Sequence, residues 1–347
     1  MGKTSILEAI SMLSIPKSFR TSSTHEMIMF NSDYFRIIGL FEDAAGDNKK
    51  LEVGYQIEPT KKRVLKVDDV PKSTKEFLKH AYVVTFVPQD LYLLDLGPSK
   101  RREYLNRVLS KSDFMYLDHL TKYEKALRAR NSVLKSIREG LADSSHLQPW
   151  DMQLIMHGSY LTKKRLEFLK NASKKVTKHY TEIADSKDHL TTIYMSKTHE
   201  IVDGQGEIEP TYNMDNFEEM YEKAFAVRLE RDIASRTTSV GPHRDDFHFM
   251  LNEKNMENFA SRGEKRTVIL ALKVTELEII ASHIGSNPIL LLDDVFSELD
   301  NDRQTHLLEL IAEYQTFITT NSPEHFENFS QEKAVWEVSE DGVEIIN

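Results

Sequence analysis

Cysteine is absent from the 347 residues. Its absence excludes disulfide scaffolds, Cys-ligated zinc, iron–sulfur clusters and thiol nucleophiles, and it is compatible with a reducing cytoplasm. Also missing is any apolar run near the roughly 20 residues that a bilayer crossing needs, which excludes an integral helical membrane protein. The opening residues hold no secretory h-region: Ile6, Leu7, Ile10 and Leu13 are helix-like, follow Lys3 and are interrupted by Glu8. No H-E-x-x-H or G-x-S-x-G string occurs, so neither a zincin nor a serine hydrolase is indicated. Basic residues are outnumbered, 45 Lys+Arg against 55 Asp+Glu, giving a formal net charge of −10. On its own that balance speaks against a nucleic-acid binder.

What is present reads as an ordinary globular chain, 40% apolar and 29% charged. Its length suggests roughly two domains, since one core serves about 100–200 residues. The charge is segregated. Residues 99–139 hold Lys100, Arg101, Arg102, Arg107, Lys111, Lys122, Lys125, Arg128, Arg130, Lys135 and Arg138 against few acids, whereas the chain after Leu292 is acidic. Phosphate responds to the local field rather than to the total, so a basic middle keeps an anionic partner open.

Periodicity divides the chain into three. Residues 6–13 read as a helix, 35–41 and 51–57 as strands joined by the turn-like Ala44-Ala45-Gly46-Asp47-Asn48, and 82–87 as a buried strand ended by Pro88. In the middle, Leu120, Leu127 and Leu134 recur every seven residues, and Leu154, Leu161 and Phe168 repeat that spacing after a turn-rich gap. Two helices forming an antiparallel hairpin follow, either as a protruding coiled coil interrupted by Arg130 or as amphipathic helices of a globular subdomain. The last third returns to α/β: strands at 247–251, 288–292 and 316–319, helices at 267–284 and 307–314. One core split by an insertion is expected.

Four segments carry polar groups suited to chemistry. Gly2-Lys3-Thr4 opens a helix and matches the tail of G-x-x-x-x-G-K-[ST], where backbone, Lys and hydroxyl serve phosphate and Mg²⁺; it also matches a plain helix start. Leu290-Leu291-Leu292-Asp293-Asp294 is an apolar strand ending in two carboxylates able to hold a metal and orient water. Ser261-Arg262-Gly263-Glu264 precedes the long helix and reads either as an anion site or as a capping box. Gly241-Pro242-His243-Arg244-Asp245-Asp246 reads either as a metal or nuclease site using His243, Asp245 and Asp246 or as a structural turn.

In their order along the chain these motifs resemble the RecF family of DNA gap-repair ATPases, SMC-like members of the ABC-type class. Gly2–Ile10 resembles the end of a Walker A motif and its helix, Phe86-Val87-Pro88-Gln89-Asp90-Leu91 the Q-loop region, Ala260-Ser261-Arg262-Gly263-Glu264 the ABC signature, and 290–300 Walker B with its D-loop. Departures are Glu264-Lys265 in place of a Gln-rich pair and Asn106 where an Asp is common. The family also begins with further residues carrying two strands and the rest of the Gly-rich loop, so the sequence resembles an N-terminally truncated member.

The resemblance implies an α/β fold, an ABC-type P-loop ATPase head formed by 1–105 and 226–347, interrupted by a mainly helical lobe at 106–225. It implies ATP and Mg²⁺ as cofactors, with Gly2, Lys3 and Thr4 on the phosphates, Thr4 and Asp293 on the metal, and Asp294 and Gln89 in catalysis. Ser261 and Gly263 would complete the site from a second subunit on ATP-driven homodimerisation. It further implies binding at single-/double-strand DNA junctions, RecO and RecR as partners in RecA loading, and a cytoplasmic location. Lys100, Arg101, Arg102, Lys122, Arg128 and Arg130 are the candidate DNA contacts.

Overall fold

The computed structural model describes residues 2–21, 23–42, 46–204, 206–208, 216–321, 333–339 and 342–346. In chain order the elements are α1 (Lys3–Ser14), β1 (Tyr34–Glu42), β2 (Asn48–Gln56), β3 (Lys62–Val67), β4 (Val70–Pro71), α2 (Thr74–Phe77), β5 (Val83–Phe86), α3 (Pro98–Ser112), α4 (Phe114–Arg138) and α5 (Gln148–Ala184). There follow β6 (Leu190–Met195), α6 (Lys197–Asp203), β7 (Glu207–Ile208), α7 (Phe217–Ser235), β8 (Asp246–Leu251), β9 (Lys254–Asn255), α8 (Met256–Phe259) and α9 (Arg262–Ile284). The chain closes with β10 (Ile289–Asp293), α10 (Asn301–Leu310), β11 (Thr316–Thr319), β12 (Trp336–Val338) and β13 (Val343–Ile345).

These elements form two compact units, Met1–Asp90 with Glu276–Asn347, and Leu91–Thr275. In the first unit a parallel sheet runs in the order β11-β10-β5, and an antiparallel sheet in the order β1-β2-β3-β4. The apolar run before Asp293 is the central strand, as its lack of alternation requires: Leu290, Leu291 and Leu292 are all buried, paired in register with Val84, Thr85 and Phe86 on one side and Thr316, Phe317 and Ile318 on the other. α1 buries Leu7 against Val83 and Leu291, and Met12 and Leu13 against Leu51, Val53, Leu65 and Val67. Each such side chain contributes about 1.5–3 kcal/mol relative to exposure. The strands expected at 35–41 and 51–57 form the β1–β2 hairpin, with Tyr34 opposite Gln56. Ala44 and Ala45 of the expected turn lie outside the described residues.

The helix expected at 307–314 starts earlier. Asp300 accepts a hydrogen bond from the Arg303 amide at 3.0 Å, so the helix begins at Asn301, and it has ended by Leu310.

The second unit settles the alternative between coiled coil and globular subdomain. α4 and α5 run antiparallel, as the pairs Asp113–Tyr160, His119–His157 and Arg130–Asp151 require. α7 packs on both, through Tyr221 to Thr162 on α5 and Asp232 to Arg130 on α4. The α5 seam is the expected one, with Leu154, Leu161 and Phe168 buried. On α4 the buried face runs through Tyr116, Tyr123 and Arg130, also spaced by seven, with Ala126 and, from the expected repeat, Leu134 beside them, while Leu120 and Leu127 are only half-buried. Arg130 therefore occupies the packed face instead of interrupting it.

The middle is also less helical than expected. β6 pairs antiparallel with β8 over Leu190–Met195, in a sheet ordered β7-β6-β8-β9. Arg101 on α3 donates from Nε and Nη2 to both carboxylate oxygens of Asp246 on β8, at 2.8 and 2.7 Å. These pairings bind 98–112 and 246–275 to the helices, and the compact unit spans Leu91–Thr275.

Candidate functional site

At the carboxyl ends of β5, β10 and β11 the first unit collects most of the residues singled out from the sequence. Such ends are where open α/β sheets bind ligands. Gly2 precedes α1 with φ +105°, a conformation that costs other residues energy, and its carbonyl accepts the Ile6 amide at 3.1 Å. Thr4, on the first turn of α1, donates from Oγ1 to Asp293 Oδ1 at 2.8 Å, joining residues 289 positions apart. Lys3 Nζ reaches the end of β11, donating to the Thr320 carbonyl and to Asn321 Oδ1, each at 2.6 Å.

The strand end holds the two carboxylates differently. Asp293 is buried, and its Oδ1 also accepts from Thr319 Oγ1 at 2.8 Å. Asp294 is half-buried at φ +52°, in the left-handed region that Asp tolerates better than most residues. Its amide points back to β11, onto Thr319 Oγ1 at 3.1 Å and the Thr319 carbonyl at 3.2 Å. The turn after β10 is thus pinned in a sparsely populated conformation. Thr319, which the sequence marks only as the last residue of the strand at 316–319, bonds both the Asp293 carboxylate and the Asp294 amide. The signal available was a hydroxyl at the end of a strand next to one ending in Asp.

Thr4 and Asp293 fit a magnesium ion. Both offer hard oxygen ligands, and two neighbouring ligands of an octahedral ion with bonds of about 2.0–2.1 Å stand about 2.9 Å apart, close to the 2.8 Å between Thr4 Oγ1 and Asp293 Oδ1. Gln89 is exposed on the single helical turn Pro88–Tyr92 that follows β5, held in place by the buried Asp90, whose Oδ2 accepts the Val87 amide at 3.3 Å.

Ser261 and Gly263 lie on the second unit, at the start of α9. The capping box expected there is formed: the Ser261 amide donates to Glu264 Oε2 at 2.6 Å, and the Glu264 amide to Ser261 Oγ at 3.3 Å. Ser261 is nonetheless exposed. Lys265 of the variant pair is anchored on Asp95 Oδ1 at 2.6 Å and on the Glu257 carbonyl at 2.8 Å.

Two of the six candidate DNA contacts are corrected. Arg101 and Arg130 are 1% and 0% exposed, committed to Asp246 and to Asp151 and Asp232. A cation with its counter-charge inside the fold cannot release it to phosphate without leaving a buried carboxylate uncompensated. Lys100 and Lys122 are exposed but paired with Glu103 and Asp118; Arg128 is exposed and Arg102 half-buried.

The nuclease alternative at 243–246 is also corrected. Asp245 accepts from Tyr194 Oη at 2.8 Å and from the Lys197 amide at 3.1 Å, and Asp246 is held by Arg101. His243 bonds Tyr123 Oη through Nδ1 at 2.6 Å and the Thr238 carbonyl through Nε2 at 3.0 Å. Every ligating atom is already in use, and among the described residues no group of three or more His, Asp or Glu side chains is arranged to hold a metal. Asn106 works in the same network, its Oδ1 accepting from Arg165 Nη2 at 2.9 Å and from Tyr116 Oη at 2.7 Å.

Gly241 makes this turn possible. It sits at φ +125°, and a Cβ there would lie 2.2 Å from Tyr123 Oη. Gly241→Ala is expected to destabilise the protein by about 2–4 kcal/mol, combining backbone strain with overpacking. Gly204→Ala, at φ +73° with nothing near its Cβ, should cost only about 1 kcal/mol. Equal midpoints for the two variants in chemical denaturation would refute the assignment.

Burial pushes the Asp245 carboxyl up to about 6 and, with Arg244, Arg102 and Arg165 adding to it, pulls the His243 imidazole down to about 4. The two act on stability with opposite sign. Below about pH 6.5 the unfolded chain protonates His243 while the folded one does not, so stability falls with acid; between about pH 4 and 6 the folded chain keeps the Asp245 proton, so stability rises with acid. His243→Asn removes the first effect alone. The melting temperature of that variant minus that of the parent is expected to climb as pH falls from 6.5 to 4, by up to about 3 kcal/mol equivalent. A pH-independent difference would show that His243 is not held neutral.

No family model matches the chain. It is 36% identical over 322 residues to the DNA replication and repair protein RecF of Caldanaerobacter subterraneus subsp. tengcongensis, covering 92% of this chain and 85% of that protein. It is 36% identical over 341 residues to the protein of the same name from Streptococcus gordonii, covering 97% and 89%. Its structure superposes on that of the recombination mediator protein RecF-ATP of the RecFOR pathway with a TM-score of 0.88 at 34% identity, over 100% of this chain and 89% of the other. By sequence, by fold and by the residues gathered at its strand ends, the chain belongs to the RecF family of DNA replication and repair proteins.

Proposed function

We propose that the chain is an ATP-gated DNA-binding protein of recombinational gap repair. The observation that carries this reading is the Thr4–Asp293 hydrogen bond of 2.8 Å, because it joins the start of α1 to the end of β10 around one metal-sized position. Gly2 and Lys3 would hold the phosphates of ATP, and Thr4 and Asp293 the magnesium ion, which when bound offsets phosphate charge. Asp294 would position or deprotonate the attacking water, and Gln89 would sense the γ-phosphate. Lys3 would exchange its bonds to Thr320 and Asn321 for phosphate oxygens.

Ser261 and Gly263 would complete the site from a second copy, supported by the exposure of Ser261 at the N-terminus of a 23-residue helix. In this division of labour the head is 1–105 with 226–347 and the lobe is 106–225. The ATP-bound homodimer would engage single-/double-strand DNA junctions largely through phosphate contacts, and act with RecO and RecR in loading RecA in the cytoplasm. Among the described residues no helix is long and apolar enough to cross a membrane.

The test is calorimetric titration with Mg-ATP, followed by sedimentation with and without nucleotide. ATP binding and ATP-dependent dimerisation are expected. Ser261→Arg should leave monomer ATP binding intact and abolish the dimer. A chain that stays monomeric with saturating ATP at every concentration would remove the in-trans role of Ser261, and absence of binding heat would remove the nucleotide reading itself.

A further inference from the structure

The loop 238–246 has a charge imbalance that its role as a turn does not explain. Three guanidinium groups converge on its backbone: Arg244 donates from Nε and Nη2 to the Thr238 carbonyl at 3.2 and 3.1 Å, Arg165 from Nη1 to the Pro242 carbonyl at 2.6 Å, and Arg102 from Nη1 to the Asp245 carbonyl at 2.9 Å. All three acceptors are neutral. The carboxylates of the loop are already taken, Asp245 by Tyr194 and the Lys197 amide, Asp246 by Arg101. Three fixed positive charges thus surround one buried, hydrogen-bonded carboxylate.

Arg102 and Arg244, like the exposed Arg128, differ from the four other basic candidates in having no carboxylate partner among the described residues. Lys100, Arg101, Lys122 and Arg130 each have a carboxylate oxygen within 2.8 Å. Among the described residues Arg102 and Arg244 form no ion pair, yet Arg244 is exposed and Arg102 half-buried. Each uses only part of its fork on the loop, leaving Nε and Nη2 of Arg102 and Nη1 of Arg244 as donors. The carbonyl anchors fix both side chains, so little rotamer freedom remains to be lost when a ligand binds. A planar fork with spare donors is the group best matched to a phosphate oxygen pair. Burial, and then the field of Arg165, hold the Arg102 guanidinium below its ordinary value against the opposing pull of Asp246 and Asp245.

We propose that Arg244 of the loop 238–246 and Arg102 of α3, bonded to the Asp245 carbonyl of that loop, form a phosphate-binding site on the Leu91–Thr275 unit. The site takes a tetrahedral phosphate oxyanion, and its source is the phosphodiester backbone of DNA. That assignment of source rests on the DNA-binding reading above; the anion site itself does not. It gives the Gly241-Pro242-His243-Arg244 turn a purpose: Gly241 and His243 shape the loop whose carbonyls anchor both guanidinium groups.

Two measurements test this. In the first, gapped DNA is titrated against the parent, Arg244→Gln and Arg102→Gln/Arg244→Gln across a salt series. The slope of log affinity against log salt is expected to shrink by about 1 for the single variant and about 2 for the double. Unchanged slopes in folded variants, with the parent binding DNA, overturn the site and leave the DNA-binding reading standing.

The second uses the unsubstituted protein, since Arg102 also supports the loop. Modification by phenylglyoxal, an arginine reagent, is mapped by peptide mass spectrometry with no addition, with gapped DNA and with inorganic phosphate. Protection of Arg102 and Arg244 by DNA and by phosphate supports the site and its source. Protection by phosphate in a protein that binds no DNA keeps the anion site and overturns the DNA source together with the DNA-binding reading. Equal modification in all three overturns the proposal.

Discussion

Arg130→Ala is expected to destabilise the protein by about 3–5 kcal/mol, the largest stability effect in the second unit. The guanidinium is 0% exposed and lies over the Phe225 ring at 4.6 Å from its centroid. Its Nε donates to Asp151 at 2.5 Å, and its Nη1 to Asp232 at 2.7 Å and to Thr238 Oγ1 at 3.0 Å. Asp232 is itself fully buried and also accepts from the Ser239 amide and hydroxyl. Truncation would strand that carboxylate in a low-dielectric interior, where an unpaired charge costs far more than the pair contributes. For a unit of this size the melting temperature should drop by on the order of 10 °C. The same principle predicts that Arg130→Met combined with Asp232→Leu recovers most of the loss, because it removes both charges. A double variant no more stable than Arg130→Ala would mean that shape, not charge, dominates at this position.

Asp293→Ala is expected to lower ATP turnover by about 100-fold or more, the several kcal/mol that a lost magnesium ligand withdraws from charge stabilisation. Asp293 is bonded to Thr4 and Thr319, and among the described residues no other acid of the first unit is held by two threonine hydroxyls. Thr319→Ala tests the support separately. It keeps both acids but removes the hydroxyl on Asp293 Oδ1 and one acceptor of the Asp294 amide, and an outer partner of this kind is worth about 10-fold or more. Asp294→Asn should slow hydrolysis while preserving the ATP-bound dimer. Steady-state hydrolysis against magnesium concentration checks all three, and turnover unchanged in Asp293→Ala would remove the metal assignment.

Legibility in the sequence followed the range of the interactions involved. β10 and β11 were readable because a central parallel strand buries both faces and so reads as an unbroken apolar run ending where the chain turns. α1 was readable from the spacing of Ile6, Leu7, Ile10 and Leu13, of which Leu7 and Leu13 are buried. β3 was missed because Lys62, Arg63 and Lys66 among its six residues leave too few apolar positions to set a period. β6 does alternate buried and half-buried positions, so its pattern was present and went unread beside the longer helical repeats.

The sequence by itself determined which residue types stand at each strand end and helix start, and through their order the family, because those signals are local and tied to the period of the backbone. Only the tertiary structure decided where the charges go. Nothing near Arg101 or Arg130 in the chain announces that they face inward, since their partners lie 145 and 102 residues away, and the burial of a cation depends on a counter-charge that folding alone brings to it. Among the described residues Arg102 and Arg244 are left without carboxylate partners, a distinction that the basic residues of the sequence could not express.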